Sequence, residues 1–160
     1  MERVFQESIG TVPGKRALIQ AYNENDNSCF LMKIAVFMGT RPELIKCLPL
    51  LESSPCYVPV YVNQHKSIFD SYEDRSHFIP IQETDERHRL DSIMASILLS
   101  DVFDRPWDYV MVQGDTAVSF AAALAAFQRG LKIIHLEAGL RTYNIKHPWP
   151  EEAYRRMTDT

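Results

Sequence analysis

The chain has 160 residues, of which 46% are hydrophobic. That length suits about one domain, and that hydrophobic fraction argues against a wholly disordered chain. Seventeen basic residues stand against twenty-one acidic residues, so the net charge is −4 and no basic field is available to hold a nucleic-acid backbone. No apolar run approaches the roughly 20 residues of a membrane span, and the first residues do not form a signal peptide. We therefore expect neither a nucleic-acid partner nor a membrane partner.

The cysteine content favours a reducing compartment. The three cysteines are Cys29, Cys47 and Cys56, an odd number without a Cys-x-x-Cys pair. This pattern argues against a disulfide framework and against a zinc site. We therefore expect no bound metal and a cytoplasmic location.

The first 31 residues differ in character from the rest. They show weak hydrophobic periodicity and contain the polar run 23–28, which is typical of a loop or linker. We predict a partly disordered extension over residues 1–31, with at most a short helix over 16–22. An ordered domain is predicted over residues 32–160.

Strand and helix patterns alternate from residue 32 onward. The apolar runs have no polar alternate face, which predicts strands buried on both faces, as in a parallel sheet. Strands are predicted at 34–38, 57–62, 78–81, 108–113 and 132–137. Helices are predicted at 41–51, 65–72, 85–103, 116–128 and 151–154. This order predicts an α/β fold with a doubly wound, Rossmann-like parallel sheet, whose ligands bind at the carboxyl ends of the strands.

A glycine turn follows the first predicted strand. Gly39 and Thr40 lead into a helix start at which Glu43 occupies the capping-box position. Free backbone N–H groups at such a turn suit a phosphate, and Arg41 and Lys46 would add positive charge. Alternatively, Thr40 and Glu43 only cap the helix and both cations are solvated. The turn is neither a Walker A loop nor a Gly-x-Gly-x-x-Gly dinucleotide motif.

Carboxylates follow the later strands. Asp115 comes after the fourth predicted strand, where it could act as an acid or a base, or merely as the N-cap of the next helix. Glu137 ends the fifth, and a carboxylate at a buried sheet end needs a partner, for which Arg141 is the simplest candidate. His135 in that strand fits a packing role and a catalytic role equally. Glu151, at the start of the last predicted helix, could be an ordinary complement of the helix dipole.

Five charged side chains fall just beyond the predicted strands or at nearby helix starts. They are Arg41, Lys46, Asp115, Glu137 and Glu151. Carboxylates in different environments can divide acid and base roles, and the cations could stabilise a phosphate. A sugar nucleotide, which carries exchangeable protons and an anionic diphosphate, suits this set.

Short motifs occur in an order that resembles one enzyme family. They are Gly39-Thr40-Arg41-Pro42-Glu43 with Ile45-Lys46, Gln64-His65, Gly114-Asp115-Thr116, His135-x-Glu137-Ala138-Gly139-Leu140-Arg141-Thr142 and Pro148-Trp149-Pro150-Glu151-Glu152-Ala153. Together they resemble the non-hydrolysing UDP-N-acetylglucosamine 2-epimerases over residues 32–160. The resemblance implies the N-terminal half of a glycosyltransferase B-like fold, in which the substrate lies between two Rossmann-like domains.

The resemblance also implies a reaction. The enzyme would interconvert UDP-N-acetylglucosamine and UDP-N-acetylmannosamine by eliminating UDP to give 2-acetamidoglucal and then adding UDP back, without a metal or other cofactor. Its product would feed polysaccharide synthesis. Asp115, Glu137 and Glu151 would be the acid/base carboxylates, with no division of roles assigned, and Arg41 and Lys46 would bind substrate.

Four further positions are interpreted by comparison with the family pattern. Gln64 and His65 match a stretch linked in bacterial members to a second, regulatory UDP-N-acetylglucosamine. Tyr154 departs from the family pattern, which commonly has asparagine there, whereas Arg155 retains it.

The resemblance also implies a second domain, outside residues 32–160, that supplies most UDP contacts and a catalytic histidine. We therefore expect the isolated chain to be inactive and to self-associate as a homodimer through the face left open. Three alternatives stay open. They are a hydrolysing epimerase that releases free N-acetylmannosamine, against which Arg41-Pro42-Glu43 argues, a glycosyltransferase of the same overall fold, and a non-catalytic binding or interaction module.

Overall fold

Parallel strands organise the part of the chain that is described. The computed structural model describes residues 32–63, 76–81 and 88–160. Within them the strands are β1 (Ile34–Met38), β2 (Tyr57–Asn63), β3 (His77–Pro80), β4 (Tyr109–Gln113) and β5 (Lys132–Leu136). They form one five-stranded sheet in the order β3-β2-β1-β4-β5, and every neighbouring pair is parallel. The predicted α/β fold with a Rossmann-like parallel sheet is confirmed.

Helices connect the strands. They are α1 (Arg41–Ser53), α2 (Arg89–Leu98), α3 (Ala117–Gln128) and α4 (Glu151–Thr158), with a 3₁₀ turn at Asp101–Asp104. In the described residues, every helix is too short or too polar to cross a lipid bilayer. The predicted helix 65–72 lies outside the described residues, as do the predicted extension over 1–31 and its short helix over 16–22.

The single helix predicted over 85–103 is wrong at its carboxyl end. Helix α2 stops at Leu98, and Ser100 then accepts a hydrogen bond from the Val102 N–H at 3.2 Å to begin the 3₁₀ turn. The apolar spacing continues across this break, because Val102 and Phe103 still bury their side chains in the core. Apolar periodicity alone therefore did not predict where the helix ends.

Both faces of the central strands are covered. Along β1, Ala35 and Phe37 pack in the apolar layer beneath α2 and α3, whereas Val36 and Met38 pack in the layer beneath α1. This arrangement explains why the strand has no polar alternate face. The expectation that the last strand is also buried is wrong, since β5 pairs only with β4 in the described sheet and its residues are half-buried or exposed.

Candidate functional site

The reversal of strand order lies between β1 and β4. From β1 the chain builds β2 and β3 on one side and then returns to place β4 on the other side. The turns after these two strands therefore diverge to opposite faces of the sheet and leave a crevice at its carboxyl edge. One turn contains Gly39 and Thr40, and the other contains Gly114, which has a φ of +73° that favours glycine.

A buried carboxylate joins these two turns. Glu43 Oε2 accepts hydrogen bonds from the backbone N–H groups of Gly39 (2.8 Å) and Thr40 (2.7 Å), and Oε1 accepts one from the Thr116 hydroxyl (2.6 Å). The Ser119 hydroxyl lies 3.2 Å from the same Oε1. Glu43 is only 1% exposed. The predicted capping box is therefore present, and its carboxylate also holds the start of α3.

Lys46 and Glu137 meet at the carboxyl edge. Lys46 Nζ lies 2.6 Å from Glu137 Oε2, and the Gln113 side-chain amide donates to the same oxygen. Both charged side chains are partly open to solvent. Glu137 lies just beyond β5 and has a φ of +63°, which is unusual for a residue other than glycine. The expectation that Arg141 is the partner of Glu137 is thus wrong, because Arg141 bonds instead to Asp159.

Asp115 faces a buried arginine. Arg155 Nη2 donates to Asp115 Oδ2, and Arg155 Nη1 donates to the Glu137 backbone carbonyl oxygen. Thr116 is the N-cap of α3, with its Oγ1 accepting from the Ser119 N–H at 3.1 Å. The interpretation of Asp115 as that N-cap is therefore wrong. Neither Gln113 nor Arg155 was predicted as a site residue. The available signals were the position of Gln113 directly before Gly114 and the agreement of Arg155 with the family pattern.

Glu151 begins α4 but makes no hydrogen bond to the other two carboxylates in the described part of the chain. Its Oε2 is buried without a hydrogen-bond partner among the described residues. Tyr154 lies one turn further along α4, and its ring stacks on Phe120 with centroids 5.2 Å apart. Burial, assisted by the negative charges of Asp91 and Glu151, raises the pKa of the Tyr154 phenol.

Arg41 occupies the first turn of α1 and is exposed. It therefore lies beside the Gly39–Thr40 turn, as predicted, with its charge open to solvent. Gln64 and His65 lie outside the described residues. Among the described residues, no group of three or more histidine, cysteine or acidic side chains is arranged to hold a metal ion.

His135, which lies in β5, contacts the turn that contains Gly114. Its Nε2 lies 2.6 Å from the Gly114 carbonyl oxygen, and its Nδ1 contacts the Asp159 carboxylate. Although burial opposes the shift, hydrogen bonds from Arg141 and His135 lower the pKa of Asp159. His135 therefore helps to fix the turn that carries Asp115.

Glu152 attaches α4 to the loop that precedes it. Its carboxylate is buried and accepts from the Thr142 backbone N–H and from Arg156 Nε, each at 2.9 Å. The hydrogen bond from Thr142, together with those of Arg156, lowers the pKa of Glu152 despite the opposing effect of burial. The bond from Thr142, which lies outside α4, orients the helix that supplies Arg155.

Comparison with known proteins gives the family. The family model described as UDP-N-acetylglucosamine 2-epimerase matches residues 60–160. The chain belongs to the UDP-N-acetylglucosamine 2-epimerase family. The motifs that suggested the resemblance in part precede the matched region, since the turn at Gly39 and the cations Arg41 and Lys46 come before residue 60.

Relatives in this epimerase family are longer than the chain. It is 36% identical over 140 residues to the enzyme of Neisseria meningitidis serogroup A, covering 79% of this chain and 37% of that protein. It is 39% identical over 138 residues to the enzyme of Bacillus subtilis strain 168, covering 79% of this chain and 36% of that protein. The crystal structure of the N. meningitidis epimerase bound to UDP-GlcNAc superposes with a TM-score of 0.69 at 38% identity, covering 79% of this chain and 38% of that one. The chain thus spans little more than a third of these relatives.

We expect Glu43→Ala to destabilise the fold by about 2–4 kcal/mol, because it leaves buried N–H groups and hydroxyls without an acceptor. Urea unfolding at pH 7 measures the loss. The control is Glu52→Ala on the same helix, where the side chain is exposed and the expected change is within about 0.5 kcal/mol. Equal free energies of unfolding for the two variants would contradict a role for Glu43 in joining the turns.

The lowered pKa of Glu152 predicts that the folded chain loses stability in acid. Because its folded pKa is lowered, its contribution is present above its unfolded pKa and disappears as the pH falls through the lower folded value. We expect Glu152→Gln to be less stable than the wild-type chain at pH 7 and to lose less further stability on acidification to pH 3.5. Urea midpoints at several pH values measure this difference, and parallel curves for the two proteins would contradict it.

Proposed function

We propose that this chain forms one wall of the active site of a UDP-N-acetylglucosamine 2-epimerase, which inverts C2 of the sugar. The observation that carries the proposal is the Lys46–Glu137 pair at the carboxyl edge of the sheet, which Arg155 connects to Asp115, in a chain of this family. Phosphate and sugar ligands of doubly wound sheets bind at this edge.

The diphosphate would lie against the Gly39–Thr40 turn. The expectation of free backbone N–H groups in this turn is wrong, because Glu43 already accepts those of Gly39 and Thr40. The exposed guanidinium of Arg41 would instead provide the planar donor for phosphate oxygens. Lys46 would provide a second positive charge close by. These groups stabilise negative charge on UDP as it leaves the sugar.

The carboxylates would handle the protons. One carboxylate removes the C2 proton while the C1–O bond to UDP breaks, which leaves a C1=C2 double bond in 2-acetamidoglucal. UDP then adds back to C1, and an acid delivers a proton to the opposite face of C2. Asp115, Glu137 and Glu151 are the candidates for these steps, and their different surroundings suit a division of acid and base roles. The proposal assigns no individual step among the three.

Activity would require a second wall. The chain covers 37% of the N. meningitidis relative, and a cleft with one wall leaves the diphosphate in water. The loop after β5 supports this view, since it exposes the apolar side chains of Leu140, Tyr143 and Trp149. In an isolated chain the same surface would favour a homodimer.

Two samples test the function. We expect the isolated chain not to exchange the C2 proton of UDP-N-acetylglucosamine in D₂O. A chimera that joins residues 32–160 to the remaining C-terminal part of the N. meningitidis relative is expected to form UDP-N-acetylmannosamine with deuterium at C2, as followed by NMR. Release of free N-acetylmannosamine would instead indicate a hydrolysing epimerase. A folded chimera that binds the nucleotide sugar without exchange would indicate a binding module.

A matched pair of variants locates the chemistry in the chimera. Glu137→Gln removes the proposed acid/base group and is expected to lower kcat by at least about 100-fold. Glu52→Gln removes an exposed carboxylate of α1 and is expected to leave kcat unchanged. Equal activity in the two variants would contradict the proposed role of Glu137.

A further inference from the structure

We propose that Arg155 is a positioning residue, which fixes the Asp115 carboxylate and the Glu137 backbone relative to each other. The inference rests on the proposed function, since it gives Asp115 and Glu137 their chemical meaning. Arg155 would not itself contact the reacting sugar but would align two acid/base candidates.

The geometry starts from one buried guanidinium. The Arg155 side chain is 6% exposed, yet both of its terminal nitrogens are bound. Nη2 donates to Asp115 Oδ2, and Nη1 donates to the Glu137 carbonyl oxygen. A guanidinium is planar and rigid, so these two acceptors are held at a separation set by the fork itself. A lysine in the same place would keep the charge but could not reproduce this spacing.

The Glu137 backbone needs such a restraint. Its φ of +63° lies in the left-handed region, which a residue with a Cβ adopts at a cost in energy. Relaxation to an extended backbone would rotate its side chain away from Lys46 and Gln113, which now contact its carboxylate. The hydrogen bond from buried Arg155 to the Glu137 carbonyl opposes that relaxation.

The Asp115 carboxylate is anchored on one side. Arg155 binds Oδ2, whereas no hydrogen bond reaches Oδ1 within the described ranges. Because Thr116 caps α3, the carboxylate of Asp115 is not engaged at the helix start. The side chain is 29% exposed, so Oδ1 is left for a substrate proton at the open edge. One oxygen is therefore oriented while the other stays available.

The neighbouring arginine provides a matched comparison. Arg156 lies next to Arg155 on α4, but its Nε pairs with Glu152 on the same helix, in an i,i+4 contact, and its side chain is 42% exposed. Arg155 instead reaches residues 18 and 40 positions earlier in the chain. Arg155→Lys and Arg156→Lys each keep the positive charge. Only Arg155→Lys removes a guanidinium that bonds to both Asp115 and Glu137.

NMR of the full 160-residue chain tests the restraint without any need for activity. Backbone ¹³C shifts and the HN–Hα coupling of Glu137 report its φ. We expect the left-handed signature in the wild type, in Arg156→Lys and in Asp115→Asn, where the Nη1 bond persists, and its loss in Arg155→Lys. Retention of the signature in Arg155→Lys would overturn the proposal.

A wild-type measurement covers the case in which Arg155→Lys does not fold. A clamped guanidinium rotates slowly, so the wild-type chain is expected to give separately resolved Hη signals for Arg155. Averaged signals from a freely rotating group would overturn the proposal.

Kinetics of the chimera separate positioning from simple stability. For folded protein, Arg155→Lys is expected to lower kcat by about 10- to 100-fold while KM changes less than about threefold, because misalignment affects the transition state more than ground-state binding. Arg156→Lys is expected to change neither constant. Unchanged kcat in folded Arg155→Lys would overturn the positioning role. If the wild-type chimera lacks activity, the proposed function fails, and the NMR measurements still decide whether Arg155 restrains Glu137.

Discussion

The buried Glu43 carboxylate constrains the two turns that border the crevice. Its two oxygens take donors from the turn after β1 and from the start of α3, so neither turn can move without leaving a buried charge unpaired. Lys46 lies one helical turn beyond Glu43, and Asp115 immediately precedes Thr116. The positions of both charged groups therefore follow from one carboxylate that does no chemistry itself.

The groups at this edge divide into fixed and available ones. Glu43 and Arg155 are buried, and each binds backbone as well as side chains from distant segments. Lys46 and Glu137 are paired with each other but partly open to solvent. A substrate can compete for such exposed partners, whereas the buried network keeps the turns in place. A site that moves a proton of its substrate and stabilises an anionic leaving group requires both fixed and accessible groups.

The sequence predicted the secondary-structure elements, and the sheet edge that carries the charged residues, better than it predicted which side chains pair with each other. Continuous apolar runs predicted the parallel sheet, and the rule that ligands bind at strand ends brought Lys46, Asp115 and Glu137 to one edge. Spacing determines contacts within a few residues, such as the bond from Thr40 to Glu43. It cannot determine contacts that depend on strand order, and so the bond from Thr116 to Glu43 across 73 residues was not predicted. The predicted partner of Glu137 was wrong for the same reason. In the described sheet β5 is an edge strand, and the chain beyond it continues through a left-handed residue.

The carboxyl edge between β1 and β4 is proposed as a wall of the nucleotide-sugar site. Its most direct test is a ¹H–¹⁵N NMR titration of the chain with UDP-N-acetylglucosamine at concentrations up to about 20 mM, which suits the weak binding expected of one wall. We expect saturable shift changes confined to the turns at Gly39–Thr40 and Gly114–Thr116 and to Glu137. Changes confined to the amino edge of the sheet, or no saturable change anywhere, would contradict it.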